Sequence, residues 1–222
     1  MQNYELTSRL ISMRSEVCSS GLLYDKLGDE QLMKVNDAIN KLWDKNLYYD
    51  DRSTSNIDII ISSIRNMKKK FDIDGAVVDY IQILNVNRNN RNTTDEQLMG
   101  DVARRFKNLA KELGIWIMAL SQLSRDKDNT VPSLSRLRSS GQIAEAADIV
   151  ILIYRPEAYD KKYPEPFCNY DTNGTAMINI AKGRNIGIGK FICRFKASCT
   201  YFYEDRNIGS YNNNSNKSNQ PF

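Results

Sequence analysis

The feature that most constrains this chain is a set of short runs that are apolar at nearly every position, set between segments of helical spacing. GAVVDY (75–80), IWIMALSQ (115–122) and DIVILIY (148–154) are the clearest. Near-continuous apolar strands alternating with helices predict a largely parallel sheet covered by helices on both faces. The order reads helix, helix, strand, helix, strand, helix, strand, loop, strand, then terminal strands. Residues 147–154, 175–182 and 188–203 finish the sheet with no helix between them, so an antiparallel extension is expected there. The fold class is therefore α/β, a mostly parallel twisted sheet with terminal antiparallel strands.

The helices are legible from their stripes. Residues 4–19 place Leu6, Leu10, Ile11, Met13 and Val17 toward one side. Asp29 offers an N-cap for a second helix that runs to about Lys45, with Leu32, Val35, Ile39 and Leu42 in line. NLYYDD (46–51) reads as a short strand. STSNIDIIISSIRNMKKKF (53–71) holds a third helix: Ile57, Ile60, Ile61, Ile64 and Phe71 keep helical spacing, and Lys68–Lys70 suit its C-terminal dipole. Thr94 and Gln97 form a capping box for a long helix that Gly114 ends. Leu98, Val102, Phe106, Leu109 and Leu113 point inward from it, and Arg104, Arg105, Lys107 and Lys111 outward. Residues 155–175, with three prolines, read as a surface excursion. The tail GSYNNNSNKSNQPF is low-complexity and is expected to be disordered.

Several classes of chemistry are excluded by composition. The 222 residues contain no histidine, which removes Ser-His-Asp and Cys-His nucleophilic catalysis and His-ligated zinc. Four cysteines (Cys18, Cys168, Cys193, Cys199) form no CxxC pair and, with no export signal, read as reduced thiols of a cytoplasmic protein. No apolar run is long enough to span a membrane. Lys and Arg total 31 against 27 Asp and Glu, a net charge of +4 that permits a polyanionic partner without demanding one.

What remains is carboxylate, amide and cation chemistry at strand ends. VVDY ends in Asp79, IMALSQ in Ser121 and Gln122, and INIAKGR in Lys182 and Arg184. An isolated buried carboxylate is costly, so Asp79 either meets solvent at the end of its strand or has a cationic partner. Both place it at the carboxyl edge of the sheet, where open α/β sheets bind ligands. A carboxylate there commonly holds Mg²⁺ beside a phosphate, and an amide there can sense the γ-phosphate or orient a water. A strand-end Asp is equally compatible with a loop cap. KGRNIGIG lacks the GxxxxGK[ST] spacing of a phosphate loop and reads as a β-turn, which Asn185 and Gly187 suit. Two polar loops leave the same edge: 85–94 with Arg88 and Arg91, and 124–141 with Arg125, Arg136 and Arg138. Cations on such loops suit a nucleic-acid backbone, though a solvated polar loop would look much the same.

Four linked segments together resemble the C-terminal, RecA-like motor domain of the DnaB family of replicative DNA helicases. VVDYIQIL is similar to the family's IDYLQL, NLAKELGIWIMALSQLSR to its LAKEL…ALSQL run, SRLRSSGQIAEAADIVILIYRPEAY to SDLRESG-IEQDAD…IYRPEYY, and IAKGRNIGIG to IAKQRNGPIG. Order and spacing agree over residues 1 to 203. The resemblance implies an ATP- and Mg²⁺-dependent helicase. In it Asp79 is the Walker B aspartate, Gln122 couples the γ-phosphate to the DNA loops, and Lys182 with Arg184 forms a finger pair reaching the neighbouring subunit's nucleotide. It further implies single-stranded DNA in a central channel, with Arg138, Ser139 and Gly141 on its backbone, a homo-hexameric ring in the complete protein, and primase and a helicase loader as further partners.

The departures carry expectations of their own. The family's P-loop and catalytic glutamate have no counterpart in this sequence, so residues 1–206 read as a partial motor domain, incomplete at its N-terminus, followed by a polar tail at 207–222. The chain alone is expected to have little ATPase activity and an uncovered seam in its sheet. Family acids are replaced by Arg136 and Ser139, and IEQDAD by IAEAAD, which makes the second loop more basic. The alternative is a complete, non-catalytic RecA-like module that binds DNA or docks on a helicase ring. A recombinase-type ATPase fits the last two segments less well.

Overall fold

A computed structural model describes residues 3–24, 26–84, 94–123, 130–137 and 140–204. In chain order its elements are α1 (Asn3–Ser15), α2 (Ser19–Tyr24), α3 (Asp29–Trp43), α4 (Ile57–Phe71), β1 (Gly75–Val78), α5 (Asp95–Leu113), β2 (Trp116–Ala119), α6 (Ser140–Ala146), β3 (Ile149–Tyr154), β4 (Thr175–Gly183), β5 (Gly189–Lys196) and β6 (Tyr201–Tyr203). β1 and β2 form a parallel pair with Val77 opposite Met118, and β3-β4-β5-β6 is a separate four-stranded sheet. β5 and β6 are antiparallel, with Phe195 opposite Phe202, as the terminal runs led one to expect. The chain divides into two compact units. One takes its described residues from Met1–Asp51, Ile153–Ile178 and Lys190–Phe222, the other from Arg52–Leu152 and Asn179–Gly189.

The second unit is built around the long helix. α5 opens on the expected capping box, with Thr94 Oγ1 accepting the Gln97 N–H at 3.3 Å and Gln97 Oε1 accepting the Thr94 N–H at 3.1 Å, and it closes on Gly114 at φ 62°. Val102, Phe106 and Leu109 are fully buried against Ile57, Ile61 and Ile64 of α4, with Ala76, Val78 and Ile117 from the strand pair. Each such side chain contributes roughly 1.5–3 kcal/mol of burial. α4 is capped by Asn56, whose Oδ1 accepts the Asp58 N–H at 2.8 Å. The cations expected to point outward from α5 do not all do so: Arg105 donates to Asp58 of α4, and Lys107 is mostly buried against Asp148. Phe71, expected in the core stripe, is exposed.

Only one face of the parallel pair is covered by α4 and α5. On the other, Val77, Trp116 and Met118 are 58%, 56% and 51% exposed. Ile149 and Ile151 of β3 are likewise exposed while Val150 and Leu152 are buried. β2 pairs only with β1 and β3 only with β4 among the described residues, so each keeps an open edge there. The apolar strands are therefore not buried on both faces among the described residues, although their near-continuous apolar runs led one to expect that they would be.

The first unit departs further from the sequence reading. Its opening helix stops at Ser15, and Glu16 turns left-handed at φ 57°. Ser12 Oγ donates to the Val17 carbonyl at 2.6 Å, Ser15 Oγ to the Ile11 carbonyl at 2.7 Å, and Ser19 Oγ to Ser12 Oγ at 3.0 Å. Ser12 Oγ on the Val17 carbonyl and Ser15 Oγ on the Val17 N–H, at 3.3 Å, satisfy backbone groups just past the helix end, so the chain leaves the helix although the apolar stripe runs on to Val17. α3 begins at Asp29 itself with Gly28 as its N-cap. Residues 46–51 form no strand, since no neighbouring strand pairs with them among the described residues, and Leu47, Tyr48 and Tyr49 are exposed. Residues 155–175 are not a surface excursion. Pro156, Tyr163 and Phe167 are buried, Tyr163 stacks edge-on against Tyr154, and its hydroxyl meets Thr175 Oγ1 at 2.8 Å. Cys193 and Cys199 are buried packing residues, and none of the four cysteines is in a disulfide.

Gly100, on the face of α5 turned to α6, is the tightest helix contact. A Cβ there would collide with the Gln142 side chain, its Cβ at 2.5 Å as well as its amide oxygen. Gly100→Ala is therefore expected to lower stability by about 1–3 kcal/mol through overpacking, against a helix-propensity gain of about 1 kcal/mol. A fall in the urea midpoint checks it.

Candidate functional site

The ends of β1 and β2 are held side by side by their own register. Past the last strand pair, Leu120 N–H donates to the Val78 carbonyl at 2.9 Å and Ile81 N–H to the Leu120 carbonyl at 3.0 Å. Asp79 follows β1 directly and is exposed, with no hydrogen bond or ion pair among the described residues; the Asp79–Tyr80 peptide bond is cis. Its environment is thus solvent at a strand end, not a cationic partner. Gln122, also exposed, lies three residues past β2 on the same edge. The two residues that sequence reasoning placed in one crevice do share one edge of one parallel pair.

A third residue, missed in the sequence, ties this edge together. Gln82 sits in a single 3₁₀ turn (Ile81–Ile83) whose Ile81 is buried in the core, with Leu84 buried just beyond it. From there Gln82 Nε2 donates to Ser121 Oγ at 2.7 Å and to the Gln122 carbonyl at 2.9 Å, while its own Oε1 is buried without a partner among the described residues. The signal available was an amide inside the apolar run IQIL. A polar side chain there needs a partner.

Lys182 and Arg184 are brought together, but elsewhere. Lys182 Nζ donates to the carbonyls of Ala144 at 2.6 Å and Glu145 at 3.0 Å, capping the C-terminus of α6. Arg184 Nη1 reaches Asp148 Oδ1 at 3.2 Å, and Arg184 N–H donates to the Asp148 carbonyl at 2.9 Å. Lys107 Nζ completes the cluster, donating to Asp148 Oδ1 at 2.7 Å and to the Ala146 carbonyl at 3.0 Å. Neither finger candidate bonds to Asp79 or Gln122. The hydrogen bond from Lys107, reinforced by the charges of Lys107, Arg184 and Lys111, holds the Asp148 carboxyl below the usual carboxylate range despite its partial desolvation. The turn after β4 is the β-turn expected, with Gly187 at φ 74°. It needs Gly183, because a Cβ there would strike the Gly187 carbonyl.

Of the candidate DNA contacts, Arg88, Arg91, Arg125, Arg138 and Ser139 lie outside the described residues. Arg136 ends a short 3₁₀ turn (Leu134–Arg136), where its Nη1 donates to the Val131 carbonyl at 3.1 Å, and Gly141 is in the first turn of α6. The base of this loop is closed by an antiparallel bridge between Leu123 and Leu137, and Leu137 packs on Val150 and Leu152.

Mg²⁺ asks for one or two carboxylates and fills its other positions with water and phosphate oxygens. Asp79, exposed and uncommitted, fits that demand, and no cluster of three acidic or sulfur ligands competes for a cation among the described residues. Asp79 and Gln122 can address a bound phosphate, but the sequence holds no glycine-rich cradle to grip one.

The parallel strand pair, the paired edge and the covering helices define a RecA-like α/β domain. Residues 1–204 match the family model for the DnaB-like helicase C-terminal domain, and the chain belongs to that family. It is 36% identical over 202 residues to the replicative DNA helicase DnaB of Rickettsia felis, covering 85% of this chain and 40% of that protein. It is 35% identical over 203 residues to a probable plasmid replicative DNA helicase of Chlamydia muridarum, covering 89% of this chain and 41% of that protein. Among solved structures, a DnaB-like replicative helicase described with its interactions with primase superposes with a TM-score of 0.78 at 26% identity, covering 92% of this chain and 48% of that one. A separate ATPase domain superposes with the same TM-score and identity, covering 92% of this chain and 72% of that one. The chain thus spans well under half the length of the curated relatives it matches. No helix among the described residues is long and apolar enough to cross a membrane.

Two outcomes follow from this geometry. Gln82→Ala removes both bonds across the strand ends and is expected to cost about 1–2 kcal/mol, with faster amide exchange at Ser121 and Gln122 as the local readout. Because the folded Asp148 carboxyl titrates below its unfolded value, its contribution is fully present above the unfolded pKa of about 3.9 and is lost as pH falls through the lower folded value. Urea midpoints followed down through the acid range should show Asp148→Asn with a shallower loss than the parent.

Proposed function

We propose that this chain is the C-terminal part of a replicative helicase motor that couples ATP hydrolysis to movement along single-stranded DNA and so to duplex unwinding. The observation that carries the reading is the shared edge of β1 and β2, where an uncommitted Asp79 follows β1 and Gln122 follows β2, with Gln82 bonded across the strand ends. In this reading Asp79 orients Mg²⁺, which neutralises charge on the transferred phosphoryl group, while Gln122 senses the γ-phosphate. Its neighbouring Ser121 and Gln82 tether it to the strand that carries Asp79. Lys182 and Arg184 serve the nucleotide of an adjacent subunit, which is supported by their separation from Asp79 within one chain. The loops at 85–94 and 124–141 line the channel, with Arg136, Arg138, Ser139 and Gly141 against the DNA backbone. The working form is a homo-hexamer in the cytoplasm, and primase and a loader are its partners; the solved relative described with primase supports the first of these.

The P-loop and catalytic glutamate come, in this reading, from a segment outside these residues. Support comes from the open edges of β2 and β3 and the bare apolar face of Val77, Trp116 and Met118, which a further strand and helix would cover. The experiment is to join the chain to a P-loop-bearing segment of a relative and measure ATP turnover with and without single-stranded DNA. Turnover stimulated by DNA is expected, with Asp79→Asn inactive and Arg184→Ala slowed by roughly a thousandfold. No turnover in any register of the junction, with the DNA affinity intact, would favour the non-catalytic module instead.

A further inference from the structure

Arg184 and Asp148 make an ion pair whose side chains are 58% and 54% exposed. A pair of that exposure contributes only about 0–1 kcal/mol to stability, so its geometry matters more than its strength. That geometry is doubly specified. The Asp148 carboxylate holds the guanidinium of Arg184, and the Asp148 carbonyl holds its backbone N–H. Two residues back, Lys182 is fixed by the last carbonyls of α6. Asp148 is in turn oriented by Lys107, whose side chain is only 19% exposed and which also binds the Ala146 carbonyl. Every atom in this chain of contacts comes from α5, α6, the start of β3 and the end of β4, within one compact unit.

We propose that Asp148 is a positioning residue for Arg184, and that with the C-terminal carbonyls of α6 it forms a latch that presents Lys182 and Arg184 as one unit. The proposal rests on the reading of these two cations as the finger pair. The carboxylate sets which way the guanidinium fork points, and Lys107 keeps the carboxylate from turning away. Between the two cations, Gly183 lies against the Gly187 carbonyl, and Asp148 sets the direction of the Arg184 side chain that follows it. A guanidinium misplaced by about an ångström loses on the order of a hundredfold in rate, which is the kind of effect a weak but directional contact can govern. The latch closes on the last turn of α6, and the first turn of the same helix holds Gly141, so one short helix spans from a candidate DNA contact to the finger pair.

The test uses the P-loop-supplied form described above, with a second readout in the 222-residue chain itself. Asp148→Asn is expected to lower kcat for ATP roughly tenfold or more while leaving KM within about twofold. Asp148→Glu restores part of it. The double variant with Arg184→Ala is expected to be no slower than Arg184→Ala alone, because the two residues act as one unit. In the chain by itself, the Arg184 side-chain N–H signal in a nitrogen-edited NMR spectrum is expected to be distinct and exchange-protected, and to collapse to the solvent-exposed position in Asp148→Asn. An unchanged kcat and Arg184 signal in Asp148→Asn, or rate losses that add in the double variant, would overturn the latch. If Arg184→Ala itself leaves kcat unchanged, the finger reading fails and the latch fails with it, an outcome distinguishable from the first.

Discussion

Burial of one stripe of α5 places nearly every residue of functional interest. Val102, Phe106 and Leu109 close over Ile117 and Ala76, next to the parallel register of β1 and β2 that brings Asp79 and Gln122 to one strand edge. The remaining faces of the same helix are used differently. Gly100 admits α6 at close range, Arg105 reaches Asp58 on α4, and Lys107 reaches Asp148 at the mouth of β3. A rigid rod gripped by its apolar stripe transmits position to its polar faces. The strand edge and the cation cluster are therefore referenced to one element, though they share no direct bond.

The half-covered sheet follows from the same packing. α4 and α5 serve the face of Ala76, Val78 and Ile117, and nothing among the described residues covers Val77, Trp116 and Met118. Large side chains at more than half exposure in adjacent strands are a liability for a chain acting alone, as are the open edges of β2 and β3. In relatives that share the fold, more chain is present, and this chain accounts for 72% of the solved ATPase domain that it superposes on. In the proposed reading, a strand beside β2 that ends in a glycine-rich loop would both fill the open edge and hold the phosphates.

Legibility in the sequence tracked the origin of each signal. α5 was readable end to end because a capping box, a 3.6-residue apolar stripe and a terminal glycine all agreed on it. Asp79 and Gln122 were readable as polar residues closing apolar strands. The first helix was not, because Ser12 and Ser15 satisfied the Val17 backbone just past Ser15 and overrode the apolar spacing. The 155–175 segment misled through its prolines. Proline count argues against regular structure, not against burial, and Tyr163 and Phe167 anchor an irregular segment in a core. The strand expected at 46–51 failed for want of a pairing neighbour, which is a tertiary fact that local β-propensity does not carry. Asp148 and Lys107 were invisible for a related reason. Each looks like an ordinary surface charge, and only the fold brings them within 2.7 Å of one another.

The electrostatics of the two clusters differ in a way that suits different tasks. At the β1/β2 edge the crosslinking groups are neutral amides and a hydroxyl, while the one charge, Asp79, is left uncommitted in solvent. In the proposed reading, a carboxylate that meets a hydrated divalent cation gains from having no protein cation to displace first. At the α6 end the reverse holds: one carboxylate faces the charges of Lys107, Arg184 and Lys111, while the helix-terminal carbonyls accept from Lys182 and Lys107. The excess of positive charge there is not neutralised by Asp148, which already serves both Lys107 and Arg184. Such an arrangement keeps a net positive field on an exposed guanidinium while fixing its direction. That is the electrostatic condition for engaging an anionic group brought up by another molecule. In the proposed reading, a finger buried in a neutral pair would have to break that pair before acting, whereas one steered by a shared carboxylate would not.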